Sequence, residues 1–256
     1  MVSLLTKERK VYIMELLKRD GFVSIKQLMS ILNISRSSVM RDLDELEKEG
    51  MIFRERGGAS LISADSLLSR YNEPGVIEKE HTNENQKRKI CKKAASYLNN
   101  GDCIYIDSGT TGIYIIDYIM DKEVDIVSPN TYILSRIPDD FKGKVYVLGG
   151  EFKKKSEICT GSLTVEMMKN FKFDYAFLTA NGISFENGEV YSYHFGYAAL
   201  KKEALKRSKC SMLLVDQSKF EKSGLCVWAN PIQFQAILVD STSTLKRKPK
   251  NVVVCQ

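Results

Sequence analysis

Residues 35–58 read SRSSVMRDLDELEKEGMIFRERGG, and this stretch decides how the N-terminal part of the chain folds. Ser35 can cap the N-terminus of a helix, because its hydroxyl can accept a hydrogen bond from a free backbone N–H. An apolar stripe recurs behind it at helical spacing: Val39, Leu43 and Leu46. Gly50 tolerates positive φ and ends the helix, and residues 51–54 lead into a basic, glycine-rich tip. The stretch therefore predicts a helix followed by a β-wing.

The face opposite the apolar stripe carries basic and hydroxyl side chains near the N-terminal end of the helix. Helix-turn-helix proteins insert that end of the recognition helix into the major groove. We therefore expect a DNA-binding surface made by this end of the helix and by the arginines of the wing: Ser35, Arg36, Ser37, Ser38, Arg41, Arg54 and Arg56. The acidic residues come later in the helix, where they lie away from the phosphates: Asp42, Asp44, Glu45, Glu47 and Glu49. Taken alone, the stretch also fits a solvated amphipathic helix and hairpin inside some larger domain.

The residues before this stretch complete the pattern. Helical periodicity covers residues 6–19 and 25–31, and Asn33 marks a tight turn into the third helix. An apolar step at residues 22–23 can pair with the later wing strand. Three helices followed by a hairpin predict a winged helix-turn-helix domain, which we place at residues 1–60.

Composition narrows the class of protein. The chain has 256 residues, 43% hydrophobic and 27% charged, which predicts about two globular domains with ample core. A formal charge of +6 permits a polyanionic partner without requiring one. The six Cys form no C-x-x-C pair and there are only two His, so we expect no structural metal and no cofactor. The sequence shows no signal peptide and no apolar run of about 18 residues, and we expect a cytoplasmic protein with reduced thiols.

The C-terminal part of the chain alternates between two kinds of pattern. Six apolar runs have the length of buried strands, near residues 104–106, 124–127, 145–148, 175–178, 212–215 and 236–239. Helical patterns separate them or precede them, at residues 85–98, 112–120, 131–137, 163–170 and 197–209. This alternation predicts an α/β fold with a doubly wound, mostly parallel sheet, which we place at residues 85–256. Residues 61–84 have weak periodicity and carry Ser, Asn, Pro and Gly, which predicts a linker.

Polar residues follow the ends of five predicted strands, and ligands bind at this edge of a doubly wound sheet. The first of these loops is D-S-G-T-T, whose glycine lets a ligand approach the backbone and whose hydroxyls suit a phosphate, as does the following helix N-terminus. Lys219 can supply a cation to the same anion. We expect an effector site formed by Asp107, Ser108, Gly109, Thr110, Thr111, Asn130, Gly149, Gly150, Gly182 and Lys219. The alternative is that each turn only serves the geometry of the sheet.

Taken together, the motifs of both parts resemble the DeoR family of bacterial transcriptional regulators. In the N-terminal part the resemblance lies in residues 9–16, 23–28, 35–46 and 54–59, with Met40 where the family usually has an arginine. In the C-terminal part it lies in residues 107–111, 128–131, 148–150, 161 and 216–220, although residues 128–131 read S-P-N-T where the family has T-N-S. The resemblance implies a sugar-phosphate-sensing domain similar in fold to ribose-5-phosphate isomerase, and it adds Lys201 to the effector site.

These inferences favour a DNA-binding transcriptional regulator, a repressor of sugar or carbohydrate metabolism genes controlled by a phosphorylated sugar. Its expected partners are double-stranded operator DNA and the effector. We also expect a homo-oligomer, a dimer or a tetramer, because two heads read repeated half-sites.

Two other functions remain open at this point. One is a sugar-phosphate isomerase-like enzyme fused to a DNA-binding head, with Asp107 and Asp216 as candidate bases. We expect no enzyme, because no acid and base are paired and both His81 and His194 are isolated in the sequence. The other is a winged helix that contacts protein instead of DNA, which binding that weakens steeply with salt would exclude.

Overall fold

The computed structural model describes residues 6–20, 22–49, 51–55, 57–61, 75–245 and 249–256. The chain divides into two compact units, with the division between residues 72 and 73. Gly50, Arg56 and most of the predicted linker lie outside the described residues. Within the described ranges, no helix combines the length and the apolar character needed to cross a bilayer.

The described residues of the N-terminal unit form three helices and one antiparallel sheet. In chain order these are α1 (Thr6–Asp20), β1 (Phe22–Ser24), α2 (Ile25–Leu32), α3 (Arg36–Lys48), β2 (Ile52–Glu55) and β3 (Gly58–Leu61). β3 lies in the middle of the sheet and pairs with β1 on one side and β2 on the other. This is the predicted winged helix-turn-helix, and the short strand before α2 does pair with the wing.

Local interactions determine where these helices begin and end. Ser24 and Gln27 form a reciprocal capping box at the start of α2, and Asn33 ends that helix at φ 50° in the left-handed region. The Ser35 hydroxyl accepts a hydrogen bond from the Ser38 N–H at 3.3 Å and caps α3. The stripe predicted from α3 is buried together with side chains from α1, α2 and the sheet: Leu17, Leu28, Val39, Leu43, Leu46 and Ile52.

The C-terminal unit contains a parallel sheet, helices on both of its faces and two small antiparallel sheets. Its helices are α4 (Val76–Glu80), α5 (Glu84–Ala95), α6 (Thr110–Ile113), α7 (Ser162–Met168) and α8 (Phe195–Arg207). Its strands are β4 (Cys103–Ile106), β5 (Asp125–Ser128), β6 (Val145–Val147), β7 (Glu151–Lys153), β8 (Ile158–Thr160), β9 (Phe173–Thr179), β10 (Gly182–Ser184), β11 (Glu189–Ser192), β12 (Ser208–Leu214), β13 (Cys226–Ala229), β14 (Ala236–Val239) and β15 (Val252–Val254). Short 3-10 helices lie at Ile116–Tyr118, Thr131–Arg136, Gln217–Lys219 and Pro231–Gln233.

The main sheet has seven strands in the order β15-β14-β12-β9-β4-β5-β6, and all of its neighbouring pairs are parallel. From β4 the chain runs through β5 to β6 at one edge, then returns to β9 and continues to β15 at the other edge. The strand order therefore reverses between β4 and β9, and a doubly wound sheet opens a crevice at such a point. The six predicted strands and the doubly wound parallel sheet are confirmed, whereas β15 and both small sheets were not predicted.

Each face of the main sheet carries its own hydrophobic core. Within β4, Ile104 and Ile106 contribute to the core beneath α5, and Tyr105 contributes to the opposite core beneath α8. In β9, Phe177 belongs to the first core, whereas Leu178 belongs to the second. This alternation follows from the period of two in a strand, and it explains why the strands read as continuous apolar runs.

Two predicted helices differ in the structure, the first in length and the second in type. Where a helix was expected over residues 112–120, only α6 and a 3-10 turn form, and residues 131–136 form a 3-10 helix. Both segments are rich in β-branched residues, and the first also contains Gly112. β-Branched residues and glycine have low helix propensity.

Candidate functional site

A cavity of about 90 Å³ opens at the point where the strand order reverses. Loops that follow β4, β9 and β12 meet there, and the segment between α4 and α5 together with part of α5 closes it. Its polar and small lining residues include Ser108, Gly109, Thr110, Thr111, Thr179, Asn181 and Ser218. Four lysines also line the cavity: Lys79, Lys87, Lys201 and Lys219. The structure therefore brings the D-S-G-T-T loop, Lys201 and Lys219 together in one place.

Asp107 holds two lining residues of the cavity in place, through a buried ion pair with Lys201 and hydrogen bonds from Thr179. Its Oδ2 atom accepts hydrogen bonds from the Thr179 N–H at 2.9 Å and the Thr179 hydroxyl at 2.7 Å, and it also accepts from the Lys201 ammonium group. Lys201 donates in addition to the Thr179 carbonyl at 3.1 Å. Both ionic side chains are almost fully buried, 1% and 3% exposed respectively. The pair ties the end of β4 to the end of β9 and to α8.

Asp216 has a comparable structural role at the end of β12. Its Oδ1 atom accepts from the Ser218 N–H at 3.0 Å and from the Asn83 side-chain amide at 3.1 Å. These bonds hold the turn that carries Lys219 against the segment that precedes α5. The two carboxylates considered as candidate bases are thus engaged in bonds that build the site.

Gly109 is needed for contact within the protein. A Cβ atom at this position would lie 2.7 Å from Thr179 Oγ1 and 2.9 Å from its Cγ2 atom. The glycine therefore lets the loop after β4 pack against the end of β9. The sequence predicts that Gly109 serves the approach of a ligand. The structure gives a second explanation for a glycine here, because Thr179 already occupies the space that a side chain would need.

Lys87 is a cavity residue that sequence reasoning missed. It lies on α5 and is only 5% exposed, and its ammonium group donates to the Lys79 carbonyl at 2.6 Å, the Glu80 carbonyl at 3.2 Å and the Thr110 hydroxyl at 2.9 Å. Burial lowers its pKa to about 8. Its sequence context is a lysine-rich run that resembles a solvated helix face. The signal that could have found it is spacing, because Lys87 shares the buried face of Ile90, Cys91 and Ala94.

Five predicted effector residues do not line this cavity: Asp107, which is bonded to the lining residues Thr179 and Lys201, and Asn130, Gly149, Gly150 and Gly182. Asn130 follows β5, and its side chain caps the next 3-10 helix by accepting from the Tyr132 N–H at 3.0 Å. Gly149 and Gly150 follow the edge strand β6, which β5 and β4 separate from β9. Polar loops that follow strands on the far side of β4 therefore lie away from the reversal point.

Gly150 and Gly182 have packing functions that their positions explain. A Cβ atom on Gly150, which has φ 147°, would lie 2.1 Å from the Thr164 hydroxyl oxygen of α7. A Cβ atom on Gly182, in β10, would lie 2.0 Å from the Lys222 carbonyl oxygen. Both positions exclude a side chain because another segment of the protein lies against them.

The charges around the cavity suit an anion. Four lysine side chains stand against Asp107 and Asp216, which leaves an excess of two positive charges. Helix α6 after the D-S-G-T-T loop has only four residues, so its dipole adds little. The lysines and the loop hydroxyls, more than the predicted helix N-terminus, supply the positive charge and the hydrogen-bond donors of this cavity. Elsewhere in the described ranges, no group of three His, Cys, Asp or Glu residues could hold a metal ion.

In the N-terminal unit, helix α3 presents the predicted DNA-reading residues near its beginning. Arg36, Ser37 and Arg41 are exposed, while Ser38 is half-buried. Ser35 is exposed as well, and its hydroxyl forms the cap of the helix. The opposite side of α3 is buried in the core of the unit. The basic and hydroxyl side chains at this end therefore face solvent, in the arrangement that a recognition helix requires.

The side chains of Arg54 in the wing and Asp42 in α3 both form ion pairs within the N-terminal unit. The Arg54 guanidinium pairs with Asp44 and donates to the Met40 sulfur at 3.0 Å, so it lies against α3. Asp42 is not on the surface, since it is 1% exposed and accepts two hydrogen bonds from Arg9 of α1, at 2.7 and 2.9 Å. The predicted contact residue Arg56 lies outside the described residues.

Comparison with known structures finds distant similarity. Ribose 5-phosphate isomerase A of Methanocaldococcus jannaschii matches over 54% of this chain and 55% of its own, with 17% identity and a TM-score of 0.40. The eIF2B beta subunit of Chaetomium thermophilum matches over 91% of this chain and 63% of its own, with 13% identity and a TM-score of 0.39. Similarities this distant say nothing about activity.

Comparison of sequences is more specific. A helix-turn-helix regulator of Bacillus subtilis, FruR, is 36% identical over 228 residues, 88% of each chain. The lactose phosphotransferase system repressor of Lactococcus lactis is 31% identical over 84% of each chain. The glycerol-3-phosphate regulon repressor of Escherichia coli is 27% identical over 90% of this chain and 88% of its own.

Two family models match, and neither describes an enzyme. The DeoR-like helix-turn-helix domain matches residues 9–65, and the DeoR C-terminal sensor domain matches residues 82–241. The second match contains the loops at the reversal point and most of the parallel sheet. The two matched domains correspond to the winged helix with its exposed basic face and to the sheet with its lysine-lined cavity. This chain belongs to the DeoR family of DNA-binding transcriptional regulators.

Proposed function

We propose that this regulator is a repressor of genes for sugar or carbohydrate metabolism, and that a phosphorylated sugar bound in the cavity controls its affinity for operator DNA. The observation that carries the proposal is the cavity itself. An excess of two positive charges, loop hydroxyls and four lysines fit a phosphate dianion better than a neutral sugar. The sensor-domain match and the names of the relatives, a lactose phosphotransferase repressor and a glycerol-3-phosphate regulon repressor, support it.

For DNA recognition we assign the exposed beginning of α3 to the major groove. Arg36 and Arg41 have the length and donor geometry to reach base edges, and Ser37 and Ser38 can bind phosphate or base atoms. Arg56 belongs to the proposed surface by its place in the sequence. Arg54 contributes by holding the wing to α3 through Asp44. We propose a homo-oligomer, dimer or tetramer, in which two such heads read repeated half-sites.

Along the chain, we assign DNA reading to residues 1–60 and ligand sensing to residues 85–256. Residues 61–84 then form the connection, and its last part contains α4, whose end lines the cavity through Lys79. For the effector we keep Asp107, Ser108, Gly109, Thr110, Thr111, Lys201 and Lys219 and add Lys87. Asn130, Gly149, Gly150 and Gly182 act on the fold around them.

The test is a thermal-shift screen of the full chain with fructose 1-phosphate, fructose 6-phosphate, glucosamine 6-phosphate, ribose 5-phosphate and glycerol 3-phosphate, each beside its unphosphorylated parent. We expect at least one phosphate to raise the melting temperature and its parent to leave it unchanged. The compound that binds is then added to a gel-shift experiment, with an operator enriched from random duplexes. No shift with any phosphate, or a ligand without effect on DNA binding, would contradict the proposal.

A further inference from the structure

Helix α4 is held at the cavity by an interaction that an anionic ligand can disturb. The Lys87 ammonium group has three N–H donors, and all three are used, by the carbonyls of Lys79 and Glu80 and by the Thr110 hydroxyl. The two carbonyls lie at the C-terminal end of α4. Lys87 is therefore both a wall of the cavity and a support of this helix.

The other end of α4 and its last side chain are tied independently. The Val76 N–H donates to the Lys155 carbonyl at 3.2 Å. The buried Glu80 carboxylate accepts from the Tyr132 hydroxyl at 2.6 Å and pairs with Arg136. The Glu80 carbonyl also accepts from the Tyr114 hydroxyl at 3.0 Å. Loss of the Lys87 bonds would therefore release the Lys79 carbonyl, weaken the hold on the Glu80 carbonyl and loosen the turn at residues 79–83 without detaching the whole helix.

We propose that Lys87 couples the cavity to α4: an anion in the cavity competes with the carbonyls of Lys79 and Glu80 for the Lys87 ammonium group and so releases the end of the helix. This inference rests on the proposed function, because it needs an anion in this cavity. A charged acceptor binds an ammonium group more strongly than a neutral carbonyl does. Since every Lys87 donor is occupied, a phosphate can gain one only if an existing acceptor gives it up.

The place of α4 in the chain determines which of its ends the exchange affects. The division between the two units lies between residues 72 and 73, and α4 is the first described helix that follows it. A ligand changes an equilibrium only through unequal affinity for its two states. Here the two states are α4 held by Lys87 and α4 released to the anion. The released turn at residues 79–83 is the C-terminal end of α4, whereas the chain from the DNA-reading unit enters at its N-terminal end, which the Val76 N–H ties to the Lys155 carbonyl.

The test is hydrogen exchange of the full chain, followed by mass spectrometry of the peptide over residues 76–83, with inorganic phosphate as the probe and chloride at equal ionic strength as reference. We expect phosphate to speed exchange in this peptide. In Lys87→Met we expect exchange to be fast already, to be unchanged by phosphate, and phosphate affinity to fall about ten- to hundredfold. Lys89→Met removes the same charge from an exposed position on the same helix and should behave as the unaltered protein.

A second variant keeps the test decisive if Lys87→Met does not fold. Tyr132→Phe removes a donor to Glu80 from outside the cavity. It should speed exchange at residues 76–83 without ligand, and it should tighten phosphate binding, because it favours the released state.

Each unfavourable result has a distinct meaning. Phosphate that stabilises the protein without changing exchange at 76–83 would overturn the coupling and leave the proposed function intact. A response of Lys87→Met equal to that of the unaltered protein would do the same. Phosphate that does not bind overturns the coupling, since Lys87 is proposed to hold the phosphate group itself, and failure of every sugar phosphate as well removes the proposed function.

Discussion

At the scale of single residues, each unit contains a buried charge that connects two helices. Asp42 of α3 is paired with Arg9 of α1, and the carboxylate is buried while the guanidinium is partly exposed, at 16%. Lys87 of α5 is buried against α4. A buried charge is costly unless its partners stay in place, so both residues make the position of a neighbouring helix conditional on specific bonds.

We expect substitutions of Arg9 and of Asp42 to lower the free energy of unfolding by unequal amounts. Arg9→Met leaves a buried carboxylate without its partner and should lower the free energy of unfolding by about 3–5 kcal/mol. Asp42→Asn leaves a guanidinium that water can reach, and should cost less. Urea unfolding of the two variants, followed by circular dichroism, measures the difference. Equal losses, or a larger loss for Asp42→Asn, would contradict the buried pair.

Substitution of Arg41 tests how the beginning of α3 contributes to operator affinity. If this exposed side chain contacts a base edge, Arg41→Ala should weaken operator binding by about 1–3 kcal/mol and relax the preference at one base pair. If it contacts only phosphate, binding should weaken uniformly and the salt slope should fall by about one. Fluorescence anisotropy with an enriched operator at several salt concentrations separates these outcomes, and Lys89→Met serves as a control for net charge. An unaltered dissociation constant would remove Arg41 from the interface.

Lys87 predicts a dependence on pH with a definite sign. Burial, the largest cause, acts together with the charges of Lys219 and Lys79 and against that of Asp216, and the result is a Lys87 pKa of about 8 instead of the ordinary 10.5. Between these two pH values the unfolded chain binds more protons than the folded one, so the Lys87 contribution to the free energy of unfolding rises with pH across this window. An anion restores the charge, and at pH 8 we expect ligand binding to take up about half a proton.

Calorimetry measures this uptake. A sugar phosphate is already a dianion at pH 8, because its second pKa is about 6, so the proton must come to the protein. Titrations in buffers of different ionisation enthalpy should give a positive uptake with the unaltered protein and none with Lys87→Met. An equal uptake in both would assign the proton to another group.

At the scale of elements, the periodicity of the sequence predicted those helices and strands whose burial pattern is visible within one segment of the chain. The apolar runs of β4, β5, β6, β9, β12 and β14 were recognisable because strands buried on both faces need side chains of that kind. The stripe of α3 was recognisable for the same reason. Strand β15 follows a polar stretch and has only three residues. In the sheet of β10, β11 and β13, strand β11 pairs with β13, which lies far from it in the sequence.

The candidate site was predictable only where one loop supplies it. Residues 107–111 carry their chemistry in a continuous run, and Lys219 follows a strand end. Lys87 and Asn83 reach the cavity from a helix and a turn that no strand rule connects to it. Gly149 and Asn130 satisfy the same local rule as Gly109, but the strand order places their loops beyond β4, and no pattern in the sequence reveals that order.

This difference predicts contrasting effects of two glycine variants. Gly109→Ala places a Cβ atom 2.7 Å from the Thr179 hydroxyl oxygen, so the loop after β4 must move away from β9 and distort the cavity. Gly149→Ala places its Cβ atom 3.8 Å from the Met167 sulfur, an ordinary contact. We expect the thermal shift given by the effector to be lost in Gly109→Ala and kept in Gly149→Ala. Loss in both would place the loop after β6 in the site.

At the scale of the whole molecule, the cores of the two units support two separate tasks. The core of the N-terminal unit supports a basic helix face, and the two cores of the C-terminal unit support an anion cavity. Neither task requires the other. Regulation therefore depends on a free energy of coupling between the sites, and such a coupling acts equally in both directions.

This reciprocity can be measured. If the effector changes operator affinity by some factor, saturating operator must change effector affinity by the same factor, and typical couplings are about 5- to 150-fold. We expect equal factors when operator affinity is measured by anisotropy with and without effector, and effector affinity by calorimetry with and without operator. Tyr132→Phe should reduce both factors together, because it weakens the hold on α4 before any ligand arrives. Factors that differ would mean that the cycle contains a further step, and a change in oligomeric state, measured by analytical ultracentrifugation with each ligand, would then be the step to find.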